Sequence, residues 1–536
     1  MYLCYDIKGI QRYIFSIPKL KCVVGGSGLI AEFDRDAREN GGPTGAEWIF
    51  SGGGRGAFHC PSQDVARSLE RHLIAAAHSI GLDIRLGIDE ALSQAAHHAD
   101  RLYPYCPESL DGMPCRVSGL WPSPEGKPHP LVGLRYATAR RDHLGTWIID
   151  RLREFNLIPP ALQSYEMSFF KSVKPEPEAD GWDDDTAEAQ AGQAALGGRN
   201  RWAIVAMDGN DMGRQFLAFE ANRKRENWGE ETMRHWLRAM SESLADCTRR
   251  AFLNSLAAVL EAWAKDTEDD LDDCVVEAAS GSSTERLILP FRPLILGGDD
   301  VTMLCHPTYA MSFVQQMAKH FQNLARQAAK DAKIQPLWPA TGGELTISAG
   351  ILYAKTTFPL HMAIPYAESL LASAKGRFRA DPNTQEATPA AVDWDAITDS
   401  LVDTPAGRRN RDLRFLDREL NVEIQLTRRP YLLEDGQGHP SINSLVQLKS
   451  QLASIPRSVR AEILPNLQRP WSERVAFLTS VAKRHPLLQT QLGEDGQKLG
   501  SGWDQAEAGQ KRATGLPDAL LLLNEEHRMS QAKADD

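Results

Sequence analysis

Apolar and polar positions fall into the same order of elements twice along this chain. Tyr2 to Tyr5 reads as a short buried strand ending on Asp6. Glu47 to Phe50 and Ala57 to Cys60 flank Gly52-Gly53-Gly54-Arg55, the pattern of a hairpin with a glycine tip. Val65, Leu69, Leu73, Ala77 and Ile80 then recur at helical spacing, with Asp64 placed to cap the helix and Gly81 to end it. Leu82, Ile84, Leu86 and Ile88 share one face of the next strand. The second occurrence begins with the strand Trp202 to Met207, which ends on Asp208. Leu294 to Leu296 and Val301 to Leu304 flank Gly297-Gly298-Asp299-Asp300. A helix follows with Ala310, Phe313, Val314, Met317, Phe321 and Leu324 as its apolar stripe, then a strand at Leu345 to Leu352 and a helix at Pro365 to Lys375.

Leu82 to Ala91 (LDIRLGIDEA) aligns with Leu345 to Ala354 (LTISAGILYA), so the chain carries an internal duplication. The predicted class is α/β of the α+β kind. Its first unit spans residues 1–100 and its second 201–385, with a helical insert at about 214–288 that turns acidic at Asp266 to Asp273. Residues 101–175 form a Pro- and Gly-rich connecting segment with a helix near Asp142 to Phe155. Residues 176–200, together with the polar stretch just before them, are acidic and poor in large apolar side chains, which predicts a mobile linker. Residues 400–536 lack the duplicated pattern and read as a helical domain, with helices at Ile442 to Leu452 and around Val475 to Val481, fraying after Asn524.

Composition narrows the class further. No apolar run approaches the roughly 18 residues that span a bilayer. The N-terminus has no basic segment or cleavage site of a signal peptide. Eight cysteines without paired spacing fit free thiols in a reducing cytoplasm. A net charge of −11 argues against a protein that coats nucleic acid over its whole surface, while leaving room for a local basic groove. Arg408, Arg409, Arg411, Arg428 and Arg429 are the most clustered basic residues of the C-terminal part; their default reading is a solvated face, and their functional one a phosphate-backbone contact.

The chemistry concentrates in the second unit. A strand end and a neighbouring hairpin tip hold carboxylates rigidly, as hard divalent cations require. Asp208 occupies the first position and Asp299-Asp300 the second, the arrangement needed to place Mg²⁺ or Mn²⁺ at a reacting phosphate. Gly297 and Gly298 suit a tight turn and leave space for a polyphosphate. Gly209-Asn210-Asp211-Met212-Gly213 leads into a helix whose first amides face any anion at that end. Asp211 also reads as a helix cap or first-turn acid, and Asn210, as an amide, is a poorer metal ligand than a carboxylate. Lys375, at a helix end, either complements the helix dipole or reaches a phosphate.

These residues resemble a known family. Met207-Asp208-Gly209-Asn210-Asp211-Met212-Gly213, the Leu296 to Val301 stretch (LGGDDV), Leu345 to Ile351 (LTISAGI) and Pro365 to Lys375 (PYAESLLASAK) are similar to the palm of the large polymerase-like subunit of type III CRISPR effector complexes, and more distantly to diguanylate cyclases. Asp6-Ile7-Lys8-Gly9-Ile10-Gln11, Phe15 and Gly25-Gly26-Ser27-Gly28 resemble that family's first palm. The resemblance covers about three fifths of the chain and implies two ferredoxin-like palms. It further implies conversion of ATP into cyclic oligoadenylates when target RNA binds, in company with other effector subunits and a guide RNA. By position, Asp208, Asp299 and Asp300 become metal ligands, and Lys375 a triphosphate contact. Two alternatives stay open: a non-catalytic scaffold subunit, or a template-independent polymerase.

The chain departs from the family in several places. No histidine is followed by aspartate, so the His-Asp nuclease is expected to be absent. The family's zinc module has four cysteines; here only Cys106 and Cys115, with His129 nearby, stand in that region, and zinc is not expected. Asn210 stands where the family shows an aspartate. In the first unit Gly54-Arg55 replaces the acidic pair, which predicts a site without metals; Asp6 reads as a cap or buried polar contact, and the alternative is that this unit binds a second, acceptor nucleotide with Arg55 as a phosphate contact.

Overall fold

The computed structural model describes residues 1–17, 19–40, 45–100, 113–114, 122–123, 130–173, 186–198, 200–267, 270–276, 285–397, 403–419, 421–436, 439–485, 503–505 and 511–527. The first unit opens with β1 (Tyr2–Lys8), α1 (Ile10–Phe15) and α2 (Leu20–Asn40). It continues through β2 (Glu47–Gly52), β3 (Arg55–His59), α3 (Gln63–Ser79), β4 (Asp83–Asp89) and α4 (Leu92–Asp100). The sheet runs β2-β3-β1-β4 with every neighbouring pair antiparallel, a ferredoxin-like order. The expected cap of α3 moves two residues upstream: Ser62 Oγ accepts from the Val65 amide at 3.3 Å, while Asp64 lies in the first turn. A cap must sit in extended backbone just before the helix to reach that amide, and Asp64 is already helical.

The connecting segment contains the short pair β5 (Met113–Pro114) and β6 (Pro122–Ser123), then α5 (Pro130–Arg141), α6 (His143–Glu154), β7 (Glu166–Phe169) and α7 (Thr186–Ala195). Cys106, Cys115 and His129 lie outside the described residues. The second half of the expected linker is instead α7, which buries Ala189, Ala191, Gly192 and Ala195. Small side chains hid this helix from a search for large apolar residues. They let its backbone pack closely, and Gly192 lies so near the Ser172 carbonyl that a Cβ would come within 2.6 Å of it.

The second unit repeats the first around a longer insert. β8 (Arg201–Gly209) leads to α8 (Met212–Glu226) and the 37-residue α9 (Glu230–Asp266). Phe219 of α8 stacks on Trp236 of α9 with ring centroids 3.7 Å apart, closing that helical hairpin. Next come β9 (Val275–Val276), β10 (Arg286–Leu289), β11 (Phe291–Gly297), β12 (Asp300–Cys305), α10 (Pro307–Asp331), β13 (Ile347–Lys355), α11 (Leu360–Arg377) and β14 (Ala391–Ala396). The order β11-β12-β8-β13 reproduces the first sheet. It is extended by β14, parallel to β13, and by β17 (Tyr431–Leu432). The expected stripe of α10 is buried from Ala310 through Phe321, with Leu324 partly buried against the same core.

The C-terminal region is mixed rather than helical. Its helices are α12 (Pro405–Asp412), α13 (Ile442–Ala453), α14 (Arg457–Leu467), α15 (Trp471–Arg484) and α16 (Leu516–His527). Among them lie β15 (Arg414–Asp417), β16 (Val422–Gln425), β18 (Trp503–Gln505) and β19 (Lys511–Thr514), a sheet of order β15-β16-β19-β18. Of the stretch expected to fray after about Asn524, residues 525–527 continue α16, where the buried Glu525 forms an ion pair with Arg201 at 2.8 Å, and the rest lies outside the described residues. The arginine cluster is not a solvated face either. Arg409 pairs with Asp393 at 2.8 Å, and Arg429 with Asp518 at 2.9 Å and Asp395 at 3.5 Å. Asp393 and Asp395, two apart on β14, point to the same side of the sheet, which is where these guanidiniums arrive. Arg411 alone of these three arginines is exposed, beside Asp403 and Asp412.

One buried ion pair joins the connecting segment to the second sheet. Arg292 of β11 donates from Nη1 to both carboxylate oxygens of Asp142 at 2.9 Å, and its side chain is 0% exposed. Asp142, in left-handed backbone, also caps α6 by accepting from the Gly145 amide at 3.2 Å. Asn fits that backbone and keeps the cap, so Asp142→Asn isolates the charge. It should cost about 3 kcal/mol or more in urea unfolding, because it strands a buried guanidinium. Adding Arg292→Met should recover part of the loss. A single variant within about 1 kcal/mol of wild type would show the pair to be dispensable.

Candidate active site

The end of β8 and the tip of the β11–β12 hairpin meet because β8 lies between β12 and β13. Met207 pairs with Val301 on one side, and Asp208 pairs with Ser348 on the other. Asp300 therefore continues the register beside Asp208, and Asp299 occupies the turn next to it. Gly298 takes φ 58°, a left-handed turn conformation that glycine adopts without strain. Gly209 has a different use: a Cβ there would come within 2.9 Å of the Asp299 side chain, so its bareness lets that carboxylate lie against the strand end. Around Gly297, Gly298 and Gly213 an added Cβ would meet nothing within 4 Å, leaving an open face beside the acids.

The charges are unevenly balanced. Lys375, near the end of α11, donates to the Asp208 carboxylate and to the Gly209 carbonyl, the latter at 2.7 Å. Desolvation and the Asp208 carboxylate push the Asp299 and Asp300 carboxyls well above their usual range, and Lys375 offsets this only in part. Asp300 keeps an open side to solvent, and the Asp299 carboxylate adds to the upward push on it. Among the described residues no three His, Cys, Asp or Glu side chains already converge as a metal cage. The donor set nonetheless fits a hard divalent cation: it is all carboxylate oxygen, reachable from solvent, and mutually repelling.

Two of the predicted residues are not brought to this cluster. Asn210 is 2% exposed, and its Nδ2 donates to Thr346 Oγ1 at 2.8 Å and Ser348 Oγ at 3.0 Å. It braces β8 against β13. The Asp211 carboxylate accepts from the Thr388 amide at 2.7 Å and Thr388 Oγ1 at 2.9 Å, and pairs with Arg214 at 3.0 Å. As an N-cap of α8 it makes no side-chain capping bond. Thr388 and Arg214 escaped sequence reasoning. Their pairing with Asp211 depends on a fold-level approach of the loop before β14, which no local pattern encodes.

The corresponding place in the first unit is satisfied by protein cations. Asp6, 7% exposed, lies in register opposite Arg55, which approaches it at 3.2 Å. Lys8 pairs with Asp6 and with Asp100, the latter at 2.9 Å. Asp6 is thus the buried polar contact expected of it.

Residues 201–381 match the family model of Cas10/Cmr2, second palm domain. Over this segment the chain is Cas10-like. Similar solved structures include a Csm1–Csm4 cassette in complex with cA4, at 13% identity and TM-score 0.41, covering 98% of this chain and 69% of that one. Another is Csm1 in T.onnurineus, at 12% identity and TM-score 0.42, covering 97% of this chain and 69% of that one. No curated protein matches the chain in sequence. No helix among the described residues is long and apolar enough to cross a membrane.

The crowded carboxylates make a stability prediction with a definite sign. Their folded-state pKa values lie above the unfolded value of about 3.9. Below that value both states are protonated and nothing is lost; as pH rises through the raised values, the folded state must ionise against its neighbours. Metal-free Asp299→Ala/Asp300→Ala protein should therefore match the wild type in melting temperature near pH 4 and gain on it toward pH 8. A difference that stays flat or shrinks across that range would contradict the repulsion.

Proposed function

We propose that this chain transfers nucleotidyl groups from ATP or another NTP and makes cyclic oligonucleotide messengers, as a subunit of an RNA-guided antiviral effector complex of the type III CRISPR kind. The observation that carries this reading is the placing of Asp208, Asp299 and Asp300 at adjoining strand ends beside an open glycine tip, within a Cas10/Cmr2-like second palm. Asp208, Asp299 and Asp300 would hold Mg²⁺ or Mn²⁺, which when bound supplies charge stabilisation at the reacting phosphate. In the transfer, a 3′-hydroxyl oxygen bonds to the α-phosphorus and pyrophosphate leaves. Lys375 is within reach of the strand end that carries Asp208, so its ammonium is available to a triphosphate once it parts from that carboxylate. Gly297 and Gly298 leave the backbone open to the nucleotide, and Gly209, Met212 and Gly213 line the turn that faces it. Guide RNA, target RNA and companion subunits are the partners of this reading.

A second reading, a non-catalytic scaffold, draws on the Lys375–Asp208 ion pair, which neutralises the central carboxylate without any metal. The two part on one experiment. Wild-type protein should gain melting temperature with Mg²⁺ and ATP together, since a ligand bound only to the native state stabilises it. Asp299→Ala/Asp300→Ala should lose that gain, and pyrophosphate release in the presence of partner subunits and target RNA should fall roughly a thousandfold or more. Undiminished turnover in the double variant, or a wild type that consumes no nucleotide, would decide for the scaffold.

A further inference from the structure

The loop 378–390 carries the chain from the Lys375 end of α11 to β14, and its residues 381–386 are exposed. Such a loop, left to itself, opens readily. Here two side chains of the turn after β8 hold it. Arg214 donates to the carbonyl oxygens of Thr384 at 2.8 Å, Glu386 at 3.2 Å and Asp381 at 3.4 Å. Asp211 binds the Thr388 amide and hydroxyl and orients Arg214 by their 3.0 Å ion pair. Thr388 in turn accepts from the Ala380 amide at 3.1 Å, closing the base of the loop. The Asp211 side chain is 5% exposed and Arg214 17% exposed, so this is an internal clamp rather than a surface pair. Its two ends are the two halves of the candidate site: Asp211 lies three residues after Asp208, and the loop begins three residues after Lys375.

We infer that Asp211 and Arg214 are positioning residues that fix the Lys375 end of α11 against Asp208, and are not themselves phosphate or metal ligands. The inference rests on the proposed nucleotidyl-transfer reading and adds a role which the shared motif does not assign. An unclamped loop lets the end of α11 move and takes Lys375 out of register with the turn that carries Asp208. Interactions that orient a ligating group from behind carry effects of about 10–100-fold when removed.

The test uses full-length Asp211→Ala, Asp211→Asn and Arg214→Ala proteins. Hydrogen exchange of 378–390 is read alongside equilibrium binding of the Mg²⁺ complex of a non-hydrolysable ATP analogue. The Ala variants should exchange faster in that loop, keep the wild-type urea midpoint within a few tenths molar, and bind the analogue about tenfold more weakly or worse. Asp211→Asn keeps an acceptor for Thr388 and suits the left-handed backbone at φ 63°, so it should restore most of the protection and the affinity. Salt should leave the defect of Arg214→Ala in place, whereas the loss of a direct guanidinium–phosphate contact would shrink as salt screens that contact in the wild type. Wild-type binding with unchanged affinity in the Ala variants overturns the inference alone. A wild type that does not bind the analogue overturns the functional reading and this inference together. Faster loop exchange without loss of affinity marks the clamp as merely structural and overturns the inference as well.

Discussion

Three carboxylates held at adjoining strand ends repel one another, and the architecture around them serves to keep them there. Left free, Asp208, Asp299 and Asp300 would separate into water, where their charges are screened. The antiparallel register of β8 with β12 and β13 forbids this, because moving one carboxylate means breaking a ladder whose other residues are buried. Gly209 permits the closest approach, and Lys375 relieves part of the repulsion. What remains is a standing demand for positive charge, which a divalent cation would meet without disturbing the sheet.

The duplicated unit shows the same topology with that demand removed. In the first sheet Asp6 sits where Asp208 sits in the second, but the hairpin tip opposite it bears Arg55 in place of an acid. Lys8 and Arg55 satisfy Asp6 within the protein. A fold identical in strand order therefore supports opposite electrostatics through changes at the hairpin tip and at the end of the neighbouring strand. This is the arrangement expected if the proposed chemistry belongs to the second unit and the first serves as a scaffold or an acceptor surface.

Much of this was legible because strand period and glycine placement are local. Asp208 and the Gly297 to Asp300 tip emerged from alternation and turn chemistry, and the duplicated order came from repeating those signals. What stayed hidden depends on long-range approach. Arg409 and Arg429 look like a surface cluster until Asp393, Asp395 and Asp518 are seen to meet them, over separations of up to 89 residues. Asn210 looks like a degraded metal ligand until Thr346 and Ser348 are found at its amide. The helix α7 looks like a linker because small side chains carry no periodic apolar signal, although they pack best where backbones come close.

Those long-range pairs explain how a site of repelling charges rests on a firm base. The arginines of the C-terminal region grip the carboxylates of β14 from one side, and Arg429 ties them to Asp518 at the start of α16. Farther along the same helix, Glu525 reaches Arg201 at the opening of β8, the strand that ends on Asp208. Both ends of α16 are thus fastened to the sheet that presents the acids. A buried guanidinium left without its carboxylate is expensive, so each such pair makes partial detachment of the C-terminal region unfavourable. The sheet beneath the site is held from behind by ion pairs that cannot let go singly, while the face in front of it, at Gly297 and Gly298, stays open. Rigidity at the back and room at the front are the two conditions that charge-driven phosphoryl chemistry sets for its scaffold.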